Sequence, residues 1–350
     1  MTWRDAISTA LYGSEGFYVT GGTPVPAAHF STSAQTGTPF ARAVLRLLCR
    51  VDRLLGHPDP VDLVDVGAGG GELLGAVHRL LADTPGPLAD TPGASADPPR
   101  PLADRIRLTG VDPAPRPAGL PEPVEWRAAP PTGTTGLLVA TEWLDNVPLD
   151  LAVRDGDRLR CLLVDPATGR QRPGGELGAA DSAWLARWWP PLPDGAQAEI
   201  GRPRDEAWAA AVRTLRRGVA VAVDYGHRYA DRPVAGTLTG FRAGRTVAPV
   251  PDGSCDLTAH VAIDAVAAAG SAAASGAGHL LCRQRDALHR LGVHGRRPPL
   301  ALAGTDLRGF LAALAAAGAA AELTDPDGLG GHWWLVQPVG LAVDVDSLLA

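Results

Sequence analysis

Hydrophobic and polar positions change their period several times along the 350-residue chain. From Thr38 to Leu55 the apolar residues Phe40, Val44, Leu47, Leu48, Val51 and Leu55 recur at helical spacing. Thr38 is placed to cap that helix, Pro39 takes the tolerated first position and Gly56 offers a stop. Val61–Val66 is then a short β-prone run, Gly67–Gly71 a turn, and Glu72–Leu81 helical again. Strand, tight turn and helix in that order predict the opening unit of a parallel sheet. Three more runs read as strands of the same sheet: Arg105–Val111, ending at Asp112; Gly136–Ala140; and Val219–Val223, ending at Asp224. A helix over Asp205–Arg217, stopped by Gly218, precedes the last of them.

Residues 151–203 read as an insertion, with two β-prone runs around Asp155-Gly156-Asp157 that predict a hairpin, then a short helix over Asp181–Trp189. The C-terminal third predicts helices over His279–Leu291 and Asp306–Ala317 and a strand over His332–Gln337. Near the N-terminus, a Gly/Pro/Ser/Thr-rich segment carrying Phe17, Tyr18, His29 and Phe30 reads either as an arm over a ligand site or as plain surface. Residues 84–104 hold so many prolines that they read as a surface loop.

Composition narrows the chemistry. All the non-histidine basic residues are Arg, so there is neither a Schiff-base lysine nor a G-K-[ST] phosphate loop. A formal net charge of -6 disfavours a broad nucleic-acid surface. The four Cys lie at 49, 161, 255 and 282 with no CxxC pair, so neither a zinc site nor a disulfide scaffold is expected, and no metal. No long apolar span or secretory h-region appears, which predicts a cytoplasmic protein that does not insert into membranes. Oligomeric state is not written in the sequence.

The informative segment is Asp65-Val66-Gly67-Ala68-Gly69-Gly70-Gly71-Glu72. Glycines at 67, 69 and 71 permit a sharp bend and let a ligand approach the backbone at the C-terminal edge of a strand. A dinucleotide fingerprint would need its third glycine where Glu72 stands. Carboxylates at Asp65 and Glu72 also repel pyrophosphate, whereas the amino group and sulfonium of S-adenosylmethionine (SAM) favour a negative field. Asp112, after the second strand, is placed to accept both ribose hydroxyls, or else is a strand-ending surface acid.

A second acidic group, Glu142 and Asp145, follows the strand at 136–140 in Thr141-Glu142-Trp143-Leu144-Asp145-Asn146-Val147-Pro148. Paired carboxylates can orient a guanidinium, although helix capping or a nearby Arg would use them equally. Tyr225 is a candidate to stack on substrate or to pack as a plain phenol. His260 and Asp264, four apart on a possible helix, are candidates to orient one another, with His260 facing substrate.

The ordered blocks LYGSEGFY at 11–18, HFSTSAQTGTPFARA at 29–43, VDVGAGGGEL at 64–73, TEWLDNVP at 141–148, VAVDYG at 221–226, GTLTGFR at 236–242 and DLTAHVAIDAV at 256–266 resemble the MidA type of SAM-dependent methyltransferase-like proteins. That family includes a mitochondrial complex I assembly factor that methylates an arginine of a respiratory subunit. The resemblance implies an α/β, Rossmann-like class I methyltransferase sheet, with 1–57 as an N-terminal helical cover, 58–350 as the core and 151–203 as an inserted subdomain. It implies SAM contacts from Gly67, Gly69 and Gly71, with Asp112 on the ribose and the Glu142–Asp145 block bordering cofactor and substrate. The expected partner is a protein acceptor methylated on arginine. A small-molecule acceptor, or SAM-binding assembly without turnover, are the alternatives. Two blocks depart from the family: Thr141-Glu142 replaces Asn-Glu, and Gly244-Arg245 replaces Gly-His.

Overall fold

The computed structural model describes residues 1–20, 32–83 and 100–350. Seven strands form the principal sheet: β1 Val61–Val66, β2 Ile106–Val111, β3 Val124–Arg127, β4 Thr134–Thr141, β5 Leu215–Asp224, β6 Leu280–Arg283 and β7 Trp333–Val339. Their order is β6-β7-β5-β4-β1-β2-β3. The pairs β1/β2, β1/β4, β2/β3 and β4/β5 are parallel, and β6/β7 is antiparallel. Strand order therefore reverses between β1 and β4, which is where open α/β sheets bind ligands at their carboxyl ends. Both β1 and β4 are buried along their whole length, as strands of a sheet covered on two faces should be, and the buried Asp62 of β1 is satisfied by Arg107 and by Thr135 N.

The described residues of Thr32–Thr141, Val212–Val223 and Ala274–Ala350 form one compact unit around this sheet. Its core joins Phe40, Val44, Leu47, Leu48 and Val51 of the helix Thr38–Leu55 to Leu63, Leu74, Leu137, Val221 and Trp334. That helix has its predicted bounds, but Gly37 rather than Thr38 is its N-cap. Arg105 and Asp52, both buried, pair through both guanidinium nitrogens at 2.6 and 2.8 Å.

The described residues of Met1–Ser31, Glu142–Ala211 and Asp224–Ala273 form the other unit. Here a four-stranded antiparallel sheet runs in the order Gln171–Glu176, Arg158–Val164, Asp150–Asp155, Gln197–Ile200. Asp155 pairs with Arg158 across the Gly156-Asp157 turn, so the DG signal does mark a hairpin. The N-terminal helix Trp3–Tyr12 buries Trp3, Ile7 and Leu11 against Leu149, Leu151, Leu162 and Leu257. A boundary at residue 57 matches neither unit, because the helix before it belongs to the sheet core.

Several expectations change. The helix expected over His279–Leu291 is strand β6 followed by a short helix, Gln284–Arg290. The fully buried Gln284 sets the change of course, its side chain bonding to Ser33 and accepting from Trp334. The helix before β5 spans Arg202–Arg213 and stops earlier than Gly218. Gly218 instead lies within β5 at φ +149°, where a Cβ would stand 1.9 Å from the Gly136 carbonyl oxygen. Of the 84–104 loop, 84–99 lie outside the described residues and Leu102–Arg105 is a helical turn. His29 and Phe30 also lie outside them. No helix among the described residues is long and apolar enough to cross a membrane.

Candidate functional site

The candidate site residues fall into two groups, one in each unit. In the sheet unit, β1 ends in a turn whose alternate residues Gly67, Gly69 and Gly71 have φ of +74°, +54° and +74°. Such values are costly for any residue with a Cβ, which explains the glycine spacing. Val111 at the end of β2 accepts hydrogen bonds from Gly67 N (2.9 Å) and Ala68 N (3.1 Å), tying the turn to the neighbouring strand. Asp112 completes the tether: Oδ2 accepts from Gly69 N at 3.1 Å and Oδ1 from Ala114 N at 2.9 Å. A Cβ on Gly70 would meet Glu72 Oε1 at 2.5 Å, so the Glu72 carboxylate folds back over the turn.

Asp65, Glu72 and Asp112 thus converge. Burial, then the charges of Glu72 and Asp112, push the Asp65 carboxyl up to about 8. Burial also raises Asp112, against the lowering effect of its two backbone donors. Three crowded carboxyl groups beside the open backbone of Gly69 relax when a cation enters and resist an anion. The turn therefore suits SAM, which carries a sulfonium and an amino group.

In the other unit, Glu142 and Asp145 follow β4, and Asp224 and Tyr225 lie at the end of β5. Glu142 has φ +51°, strain of the kind that concentrates at functional sites. Asp145 is buried in a 3₁₀ turn, Leu144–Asn146. Its Oδ2 accepts from Thr258 Oγ1 at 2.7 Å and from the Tyr225 hydroxyl, which also contacts Thr258. Its Oδ1 has no hydrogen-bond partner among the described residues. Tyr225 is thus tied to Asp145, and burial with the charges of Asp145 and Asp224 raises its hydroxyl well above the usual range.

The expected His260–Asp264 pair does not form. Asp264 accepts from Arg232 at 2.5 Å and from Tyr229 N at 2.7 Å instead. His260 precedes the helix Ile263–Ala273, is exposed, and stands edge-on to Tyr225 with ring centroids 5.2 Å apart. Gly244 falls in a two-residue hairpin turn with Ala243, both at positive φ, and Arg245 is exposed beyond it.

Sequence reasoning passed over four members of this group: Thr258, Arg204, Asp256 and the carboxylate of Asp224. Arg204 is buried, and its hydrogen bonds to described residues go to the carbonyls of Asp145, Val147, Ala259 and His260. Asp256, pushed up to about 7 by burial and by Asp145, accepts from Tyr18 and Asn146. A charged residue at the start of an apolar block was the available signal for Asp256, and the helix periodicity around Arg204 concealed it.

The strand order, with a glycine turn after the first strand at its reversal point, defines a Rossmann-like α/β fold of the class I methyltransferase type. A family described as "putative S-adenosyl-L-methionine-dependent methyltransferase" matches residues 45–279, and the chain belongs to it. The protein is accordingly a SAM-dependent methyltransferase. Among solved structures, a Burkholderia thailandensis protein described as a "likely methyl transferase", bound to S-adenosyl-homocysteine, is 22% identical with a TM-score of 0.77. The match covers 99% of this chain and 90% of that one. A native structure of an uncharacterised protein of the same superfamily and organism gives a TM-score of 0.75 at 22% identity, covering 99% and 89%. At this identity the likeness establishes the fold. No curated protein matches the chain.

Proposed function

We propose that the enzyme methylates a nitrogen of a protein arginine, with Glu142 and Asp145 holding the acceptor. The observation that carries this reading is the Asp145 carboxylate, buried, fixed through one oxygen by Tyr225 and Thr258, with no partner for the other oxygen among the described residues. A buried carboxylate with a free oxygen favours a cationic donor, and a guanidinium offers several N–H groups in one plane.

Gly67, Gly69 and Gly71 would hold SAM at the turn, with Asp112 accepting from the ribose and the buried Asp65 giving up its proton as the cationic cofactor enters. Asp112 keeps acceptor capacity for that role, since each oxygen uses one lone pair on the turn. The Burkholderia relative's S-adenosyl-homocysteine supports the assignment of this cofactor class. When bound, SAM supplies a methyl carbon on a cationic sulfur, whose bond breaks as the acceptor nitrogen takes the methyl group. Glu142 and Asp145 would orient the guanidinium and stabilise its charge, and a carboxylate of the pair would accept the proton that the nitrogen releases as it takes the methyl group. Tyr225 and Thr258 keep Asp145 from turning away.

The test is transfer of labelled methyl from SAM into a cell extract by the wild type and by Glu142→Gln. Label recovered in protein as methylarginine, and reduced at least about tenfold by the substitution, is the expected result. Label confined to small metabolites would replace the acceptor, and equal transfer by both proteins would remove Glu142 from the site.

A further inference from the structure

The helix Leu307–Leu323, capped by Asp306, belongs to the sheet unit and buries only Ala317, Ala320 and Leu323. On its other side Leu307, Leu311 and Leu314 are 59%, 55% and 40% exposed. With Leu300 just ahead of it, this stretch holds four of the ten exposed large apolar side chains among the described residues. Such a concentration marks a surface that something covers. Arg308, Leu311, Ala315, Gly318 and Glu322, all exposed, follow one another at alternating steps of three and four. That spacing sets them in a single line, the seam along which two helices pack. A Cβ on Gly318 would meet nothing within 4 Å, so the line is open at that point.

The charges say what kind of partner fits. Arg308 and Glu322 are the charged residues of this helix, and they stand in its first and last turns, with no acid in the first turn and no base in the last. A helix carries partial positive charge at its amino end and partial negative charge at its carboxyl end. Each of the two is therefore at the wrong end for its own helix. They lie about 21 Å apart along the axis, too far to pair within one copy. A second copy laid antiparallel on the first corrects both ends at once. Its Glu322 and its carboxyl end come beside Arg308, and its Arg308 beside Glu322.

We propose that the enzyme forms a twofold dimer through this helix, the two copies running antiparallel and crossing at Ala315. Arg308 and Glu322 are equally distant from Ala315 in sequence, so one twofold axis there satisfies both pairs, as a self-complementary interface requires. The same axis sets Leu311 of each copy over the hollow bounded by Ala315, Gly318 and Ala319 of the other, a knob into a hole lined by small residues. Leu314 then meets its own counterpart beside the axis. A pair of 17-residue helices, each about 25 Å long, falls short of the about 1,200 Å² that stable complexes bury. The dimer is accordingly a weak one, with a dissociation constant of about 1–100 μM. The proposal is independent of which acceptor the enzyme methylates.

The experiment is sedimentation equilibrium of the full chain at neutral pH, from about 1 to 300 μM. The mass of the wild type should rise from one chain toward two across that range. Leu311→Glu should weaken association at least about tenfold. Its melting temperature should not change with concentration, whereas that of the wild type should climb. Arg308→Glu and Glu322→Arg each set like charges opposite one another in the dimer while suiting the helix's own dipole. Each should therefore melt no lower at low concentration and dimerise at least about threefold more weakly, and the double exchange should restore wild-type association. A wild type that stays a single chain throughout overturns the proposal, as does association unchanged in Leu311→Glu. Failure of the double exchange to recover what the single ones lose overturns the antiparallel pairing. A wild type that remains single and sediments instead with phosphatidylserine vesicles would give this face to a lipid surface and overturn the dimer.

Discussion

Asp65 ends β1 with its carboxyl buried beside Glu72 and Asp112, and its proton is held up to about 8 against an ordinary value of 3.8. Between those values the folded chain keeps a proton that the unfolded chain has lost, so stability falls as pH rises. The single-group limit is about 1.4 kcal/mol per pH unit. Asp65→Asn should therefore flatten the decline in unfolding free energy between about pH 5 and 8, measured by denaturant titration at each pH. Parallel declines in both proteins would exclude Asp65 as the titrating group. Gly69 gives the complementary test. A Cβ there meets no protein atom within 4 Å, but φ is +54°. Gly69→Ala should cost about 1–2 kcal/mol of stability for the left-handed backbone and weaken SAM binding at least about tenfold by isothermal titration. Unchanged SAM affinity would move the cofactor away from the turn.

Among the elements, the legible ones announce themselves by long periodic patterns. The helix Thr38–Leu55 and strand β1 have the predicted bounds because caps, stripe and burial agree there. Short elements were less readable. Strand β3, Val124–Arg127, alternates over only four residues beneath a proline-rich stretch, and β6 borrows the leucines that suggest a helix. Their identity comes from pairing with β2 and β7, which no local window contains. The acidic residues of the second group were visible as types, but not their orientation. That depends on Thr258 and Tyr225 meeting Asp145 from 113 and 80 residues away. The helix Thr38–Leu55 also supports a prediction. A fragment beginning at residue 58 loses the buried Phe40, Val44, Leu47, Leu48 and Val51. At about 1.5–3 kcal/mol each, that loss equals the whole stability of a typical domain. The fragment should lack a cooperative thermal transition and near-ultraviolet circular dichroism; a native-like spectrum would show that the sheet stands without this helix.

For the whole molecule, the α/β class and the glycine turn could be read from residues 61–81 and the later strand signals, because a strand–turn–helix unit is written in one local window. The partition into units could not. The chain changes unit after residues 31, 141, 211, 223 and 273, so neighbours in sequence are repeatedly divided between two folded bodies. This threading has a practical consequence for anyone wishing to dissect the enzyme. No single cut yields either body as an unbroken polypeptide, and a truncation past residue 31 from the N-terminus, or past residue 274 from the C-terminus, removes pieces of both. The sheet unit on its own would have to be spliced from three stretches with new linkers, and a nonsense mutation after residue 273 would strike that unit while leaving every segment of the other intact.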